Sequence, residues 1–207
     1  MPTLKITVLG AGNIGGTLGS KWVVAGHQVT FGVSDPNGEK ARKLRSELGN
    51  GVAIGTVAEA LSTAPDVVLM AIPGAAMEAT ISQFADQLDG KIIIDAANNM
   101  AASTRNSFAA LQQHTPHARI YRAFNTYGWE NFANSEYEGG PADLFFCGTN
   151  GESRAVIEQL ISDVGLRPLY LGGVEQVGLV DAVLGLWFAL ASGQRKGRHL
   201  AFRMLTR

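Results

Sequence analysis

The stretch Lys5-Ile6-Thr7-Val8-Leu9-Gly10-Ala11-Gly12-Asn13-Ile14-Gly15 decides the fold. Leu4 to Leu9 is a short apolar run of strand length, and a Gly-x-Gly-x-x-Gly pattern follows it without a gap. An amphipathic segment then runs to Gly26, and Gln28-Val29-Thr30-Phe31 reads as a second strand. Strand, glycine turn and helix in that order make the phosphate-binding end of a βαβ unit. Gly10 permits the tight turn, Gly12 lets the backbone approach a pyrophosphate, and Gly15 lets the helix pack on the strand. The helix start adds unpaired N–H groups and the positive end of its dipole. A dinucleotide site on Gly10, Ala11, Gly12, Asn13, Ile14 and Gly15 is the first expectation.

Outward from this unit the pattern repeats. Further strand runs lie at Gly51–Ile54, Asp66–Ile72, Lys91–Asp95 and Arg119–Phe124, separated by helical stretches. Strands this apolar are buried on both faces, which predicts an α/β Rossmann fold, a doubly wound parallel sheet with helical crossovers. Thr126–Pro141 breaks the rhythm as a long loop carrying Tyr127, Trp129, Phe132 and Tyr137, of the kind that is functional or mobile. Beyond it come a strand (Asp143–Cys147), a helix capped by Asn150 and ended by Gly165, a strand (Arg167–Leu171) and an apolar helix from Gln176 to Ala191. The expected division is a dinucleotide domain over residues 1–142 and a small C-terminal α/β-to-helical part over 143–207, on the acceptor side and available for oligomerisation.

Composition narrows the class. Of 207 residues 46% are hydrophobic and 25 are glycine, as in ordinary globular α/β proteins. Lys+Arg 17 against Asp+Glu 18 gives nothing to attract nucleic acid or an anionic membrane. A single cysteine, Cys147 in an apolar strand run, excludes an internal disulfide and suits a reducing compartment. The N-terminus enters a strand directly, and the late apolar run Ala182–Ala191 is about half of the ~20 residues a bilayer span needs. A cytoplasmic location with no membrane or nucleic-acid partner follows as the expectation.

Cofactor choice turns on the end of the second strand. NAD-binding proteins of this type place an acidic side chain there for the adenine ribose. Gly32 occupies that position, Ser34 follows, and Lys40, Arg42 and Lys43 stand close behind. This favours NADP over NAD, since a carboxylate would repel a ribose 2′-phosphate. Against it stand Asp35, within reach of the ribose, and the ordinary reading of those cations as a solvated helix face.

Several segments together resemble the NADPH-dependent deazaflavin (coenzyme F420) reductase family: GAGNIG with Gly26-His27, the turn Gly32-Val33-Ser34-Asp35-Pro36, Ala71-Ile72-Pro73, Asp95-Ala96-Ala97-Asn98, Ala123-Phe124-Asn125-Thr126, Phe132-Ala133-Asn134, Gly165-Leu166-Arg167-Pro168-Leu169 and Leu200-Ala201-Phe202-Arg203-Met204-Leu205. The resemblance implies hydride passage between NADP and a deazaflavin. It puts Ala11–Ile14 on the pyrophosphate, Val33 and Ser34 on the 2′-phosphate, and Ile72, Pro73 and Asn98 beside the nicotinamide. Ala71 belongs to the same wall, with Lys40 near the phosphate. Asn125 and Trp129 would lie where the acceptor meets the nicotinamide. Ser34 replaces the family's usual arginine, and Asn98-Asn99-Met100 replaces its usual Asn-Pro-Leu. The oxidoreductase module of transmembrane metalloreductases is similar too, which extends the expected acceptors to FMN and FAD.

No catalytic triad, metal cluster or carboxylate pair stands out, and His27, His114, His117 and His199 read as surface or turn residues. That fits direct hydride transfer between two rings, in which protein shape does the work. Trp129 and Leu200 are the candidates for an apolar acceptor wall; Trp187 and Phe188 read first as core. The basic tail Arg195, Lys196, Arg198, Arg203 and Arg207 suits either an anionic coenzyme tail or a helix C-terminus. Alternative readings are a Rossmann reductase of another small substrate, though the C-terminal part is short for one, and a non-catalytic NADP-binding sensor. A homodimer through the 176–191 helix is also expected.

Overall fold

The apolar runs become the strands β1 (Lys5–Leu9), β2 (Gln28–Gly32), β3 (Ala53–Gly55), β4 (Val67–Met70), β5 (Ile92–Asp95), β6 (Arg119–Arg122), β7 (Asp143–Gly148) and β8 (Arg167–Tyr170). The computed structural model describes residues 3–49 and 52–207, so Gly51, read as opening the third strand, and Met1 and Pro2 lie outside it. The strands form one sheet in the order β3-β2-β1-β4-β5-β6-β7-β8. The first six, in the order 3-2-1-4-5-6, pair in parallel and have the Rossmann arrangement.

The sheet departs from the all-parallel expectation once. β7 runs antiparallel to β6, with Arg122 opposite Cys147, and β8 is parallel to β7. A parallel return needs a crossover that carries the chain back to the other end of the sheet. The connection 123–142 holds only a one-turn helix and remains near the end where β6 stops: the Asn125 carbonyl accepts from Asn98, and Tyr127 donates to the carbonyl of Asp143.

Nine helices are assigned among the described residues: α1 (Asn13–Val24), α2 (Glu39–Leu48), α3 (Val57–Ser62), α4 (Met77–Gln83), α5 (Ala85–Leu88), α6 (Phe108–His114), α7 (Glu130–Ala133), α8 (Ser153–Asp163) and α9 (Val177–Phe188). Two apolar cores result, one on each face of the sheet. Leu18, Trp22, Leu44, Phe132 and Ile157 from α1, α2, α7 and α8 share one; Leu61, Met77, Ile81, Leu88 and Leu111 from α3 to α6 share the other. α1 buries Gly15, Leu18, Gly19 and Trp22, an i, i+3, i+4, i+7 spacing that makes one helical stripe. The Trp22 indole N–H donates to the carbonyl of Leu160 at 3.0 Å, and its ring meets Phe124 edge to face at 5.7 Å. That contact holds Phe124 at φ +61°, a left-handed turn that an aromatic residue avoids and burial enforces.

Several local expectations change. Asn150 does not cap α8; its side chain accepts from the N–H of Gly151 and shapes the preceding turn, while Gly165 at φ +88° does end the helix region. The 126–141 segment is not loose: Tyr127 and Phe132 are buried, and the C-terminal tail binds it through Phe202 N–H to Tyr127 Oη and Asn131 Nδ2 to the Arg198 carbonyl. His27 is not a surface residue. Its Nδ1 accepts from the N–H of Leu4, so Nε2 carries the proton toward Asp163 Oδ2 at 2.9 Å, linking β1 to α8. The late apolar helix, expected over Gln176–Ala191, extends slightly beyond both bounds. Val174–Gly193 is a 20-residue helical stretch of mean hydropathy 1.6, long and apolar enough by length and composition to cross a membrane. It packs Val180, Leu184 and Trp187 against the body and leaves Leu179 and Leu186 exposed.

Candidate functional site

The sheet order reverses direction between β1 and β4, and open α/β sheets bind ligands at that point, outside the strand ends. A cavity of about 840 Å³ lies there. Its lining comes from the loop after β1 (Gly10 to Ile14), the turn after β2 (Gly32 to Asp35), the first turn of α2 (Gly38 to Ala41) and the turn after β4 (Ala71 to Pro73). All the sequence-derived cofactor residues except Gly15 and Asn98 are on that wall.

Each glycine of the motif has a separate structural reason. Gly10 adopts φ +103°, and a Cβ on it would stand 2.5 Å from the carbonyl oxygen of Ala71. A Cβ on Gly15 would strike the Gly10 carbonyl, so the helix seats directly on the loop. At Gly12 a Cβ would meet nothing within 4 Å. Room therefore remains beside the start of α1, whose cap residue Gly12 makes no side-chain cap bond and whose first turn carries no acidic residue. Open space at N–H groups with uncompensated positive potential fits a pyrophosphate, so the residues present fit the dinucleotide that the motif implies.

The end of β2 bears on the 2′-phosphate. Gly32 pairs with Leu9, and a Cβ on Gly32 would lie 2.8 Å from Leu9 Cδ2 and 3.1 Å from the Ala60 Cβ. The position that bears a carboxylate in NAD proteins has no room for a side chain here. Asp35, the alternative carboxylate, accepts from the N–H of Asn37 through Oδ1 at 2.9 Å and is exposed on the cavity wall. Ser34 and Lys40 are exposed on the same wall.

A second depression of about 520 Å³ shares Ala11, Gly12, Asn13 and Lys40 with the first and continues between α1 and α2 toward Trp129. The three acceptor-side candidates are placed differently from one another. Trp129 lines this second depression; Asn125 is 1% exposed; Leu200 is half-buried, its carbonyl accepting from the Trp187 indole. Trp187 is itself buried, as its core reading required, and Phe188 packs on it at 5.3 Å. In the basic tail, Arg198 pairs with Glu130 at 2.6 Å and lies over the Trp187 ring.

One cluster escaped the sequence reading. Arg122, fully buried at the end of β6, is 3.1 Å from Asp95 Oδ1 at the neighbouring position on β5 and 2.9 Å from Asp181 Oδ1 on α9. It also donates to Asn98 Oδ1 at 2.7 Å and to the carbonyl of Ala97. Burial pushes the Asp95 carboxyl up, against the opposing pull of the Arg122 charge and of hydrogen bonds from the N–H groups of Ser107 and Ala97. The available signal was an arginine and an aspartate ending two otherwise apolar strand runs; Asp181 is too distant in sequence to be linked to them by pattern.

Residues 5–99 match the family model described as NADP oxidoreductase, coenzyme F420-dependent. Over that segment, which is less than half of the chain, it is similar to this NADP-dependent oxidoreductase family. A proposed F420-dependent NADP-reductase from Arthrobacter sp. FB24 has the same fold, with a TM-score of 0.85, 23% identity, and coverage of 98% of this chain and 100% of its own. An imine reductase from Bacillus cereus is similar at TM-score 0.69 and 18% identity, over 92% of this chain and 62% of that one. Metalloreductase STEAP3 from Rattus norvegicus is 24% identical over 188 residues, 86% of this chain. The chain spans only 36% of the length of that relative.

Proposed function

We propose that this chain is an NADP oxidoreductase that passes hydride directly between NADPH and the ring of a deazaflavin or flavin acceptor. The observation that carries the NADPH half is Gly32, where packing excludes the carboxylate that would repel a 2′-phosphate. Bound nicotinamide supplies the hydride-bearing carbon. The chain's own contribution is to bind and orient: N–H groups at the start of α1 hold the pyrophosphate, Ser34 and Lys40 face the 2′-phosphate, and Ala71, Ile72 and Pro73 wall the route to the nicotinamide end. The ionisable side chains lining the cleft among the described residues, Asp35, Glu39 and Lys40, come from the turn after β2 and the first turn of α2, while Ala71, Ile72 and Pro73 after β4 are apolar, which suits hydride transfer by positioning.

Trp129, which lines the depression beyond the glycine loop, is the aromatic side chain available to an acceptor ring. The likeness to imine reductases supports reduction of another small substrate as a second reading, though those chains carry a further third of their length outside the match. The experiment is loss of NADPH absorbance at 340 nm with deazaflavin, FMN, FAD and a cyclic imine offered separately. Turnover with a ring acceptor supports the proposal. Turnover with the imine alone would replace it, and tight NADPH binding without turnover would favour a sensor. We further propose a cytoplasmic homodimer joined through the exposed Leu179 and Leu186 of α9, to be read from the solution mass.

A further inference from the structure

We propose that Arg122 is a positioning residue that fixes the direction of the Asn98 carboxamide at the nicotinamide end of the cleft. The inference rests on reading the cleft as an NADP site. Asn98 follows β5, and its backbone abuts the turn that walls the cleft: a Cβ on Gly74, next to Pro73, would lie 2.7 Å from the Asn98 carbonyl carbon. The Asn98 side chain is half-buried and held at both ends. Its Oδ1 accepts from Arg122 Nη2 at 2.7 Å, and its Nδ2 donates to the carbonyl of Asn125 at 3.0 Å.

An asparagine amide can usually turn over and exchange its oxygen for its nitrogen. Here it cannot, because a guanidinium has donors only and a carbonyl accepts only. One N–H and one oxygen lone pair of Asn98 are used in this way among the described residues, leaving one donor and one acceptor of fixed direction. A primary carboxamide, which has one carbonyl and one amino group, is the complement of that pair. Nicotinamide carries one.

The guanidinium is itself held at all three nitrogens. Nε and Nη2 both donate to Asp181 Oδ1, Nη1 meets Asp95, and Asp181 Oδ2 accepts from Asn106 Nδ2 at 2.7 Å. The Asn125 amide completes the shell when its oxygen is turned to face Arg122 Nε and Nη2, both at 3.3 Å. Three chain segments, β5, β6 and α9, therefore converge on one planar fork. A lysine would keep the positive charge between the two aspartates, but its single ammonium cannot reach Asp181, Ala97 and Asn98 together.

The test compares dissociation constants for NADPH and for 2′-phospho-ADP-ribose, which lacks the nicotinamide, in wild type and Arg122→Lys. The ratio of the fragment's constant to that of NADPH isolates the nicotinamide contacts. Arg122→Lys should reduce that ratio ~10-fold, the size of about one well-made hydrogen bond, while leaving fragment affinity within about twofold. An unchanged ratio would overturn the proposal, as would equal losses for both ligands, which mark a merely structural residue. If Arg122→Lys does not fold, Asn98→Asp serves. It still accepts from Arg122 but has no donor for the carboxamide oxygen, so the ratio should again fall, and an unchanged ratio would overturn the proposal. If wild type binds the fragment as tightly as NADPH, the positioning role is wrong and the cleft reading survives; if it binds neither, both fail.

Discussion

Leu9 and Gly32 sit opposite each other on β1 and β2, and the Leu9 side chain fills the space that any Cβ at Gly32 would need. The carboxylate of an NAD site therefore cannot be added here by one substitution. Gly32→Asp should destabilise the chain by about 2–4 kcal/mol, because an ion and its overpacked Cβ enter a closed apolar corner. Chemical denaturation should show it, without any gain in NADH affinity. A stable Gly32→Asp protein that gains NADH use would mean that the β1–β2 corner is not closed.

Ser34 is exposed on the cavity wall at the end of β2. Ser34→Arg should tighten NADPH ~10-fold by adding a charge-assisted contact to the 2′-phosphate and leave NADH within about twofold. Fluorescence titration with each cofactor reads the difference. Equal gains would move the 2′-phosphate away from this turn.

Cys147 lies buried on β7, and burial pushes its thiol up to about 12. At pH 8 the native protein should resist a thiol-specific reagent and react fully after unfolding in guanidinium. Rapid native labelling would show that β7 opens locally, contrary to the packing between β6 and β8.

The glycine motif and the first six strands were legible because they depend on local pattern: apolar runs of strand length, and glycines at a fixed offset from a strand end. β7 was recognised as a strand but not in its direction, since Leu144-Phe145-Phe146-Cys147 is equally apolar in either orientation. Direction was set by where the 123–142 connection packs. The turn that Asp35 makes with Asn37 left no mark in the sequence pattern. His27 passed for a turn residue because its partners, Leu4 and Asp163, are 23 and 136 positions away. The Arg122 cluster was hidden for the same reason, with Asp181 59 positions off. What escaped was contact between distant segments, where composition and periodicity carry no signal.

The most direct test of the central claim, that the cleft at the start of α1 holds NADPH, is a paired NADPH titration of wild type and Gly12→Ala. In the structure the new methyl meets nothing within 4 Å and the backbone at φ −77° accepts alanine, so the melting temperature should stay within a few degrees. In the complex the same methyl occupies the space of the pyrophosphate, and NADPH affinity should fall at least ~100-fold. Loss of binding with retained stability is the predicted result. Undiminished NADPH affinity in a folded Gly12→Ala protein would contradict the account, because the cofactor would then lie elsewhere.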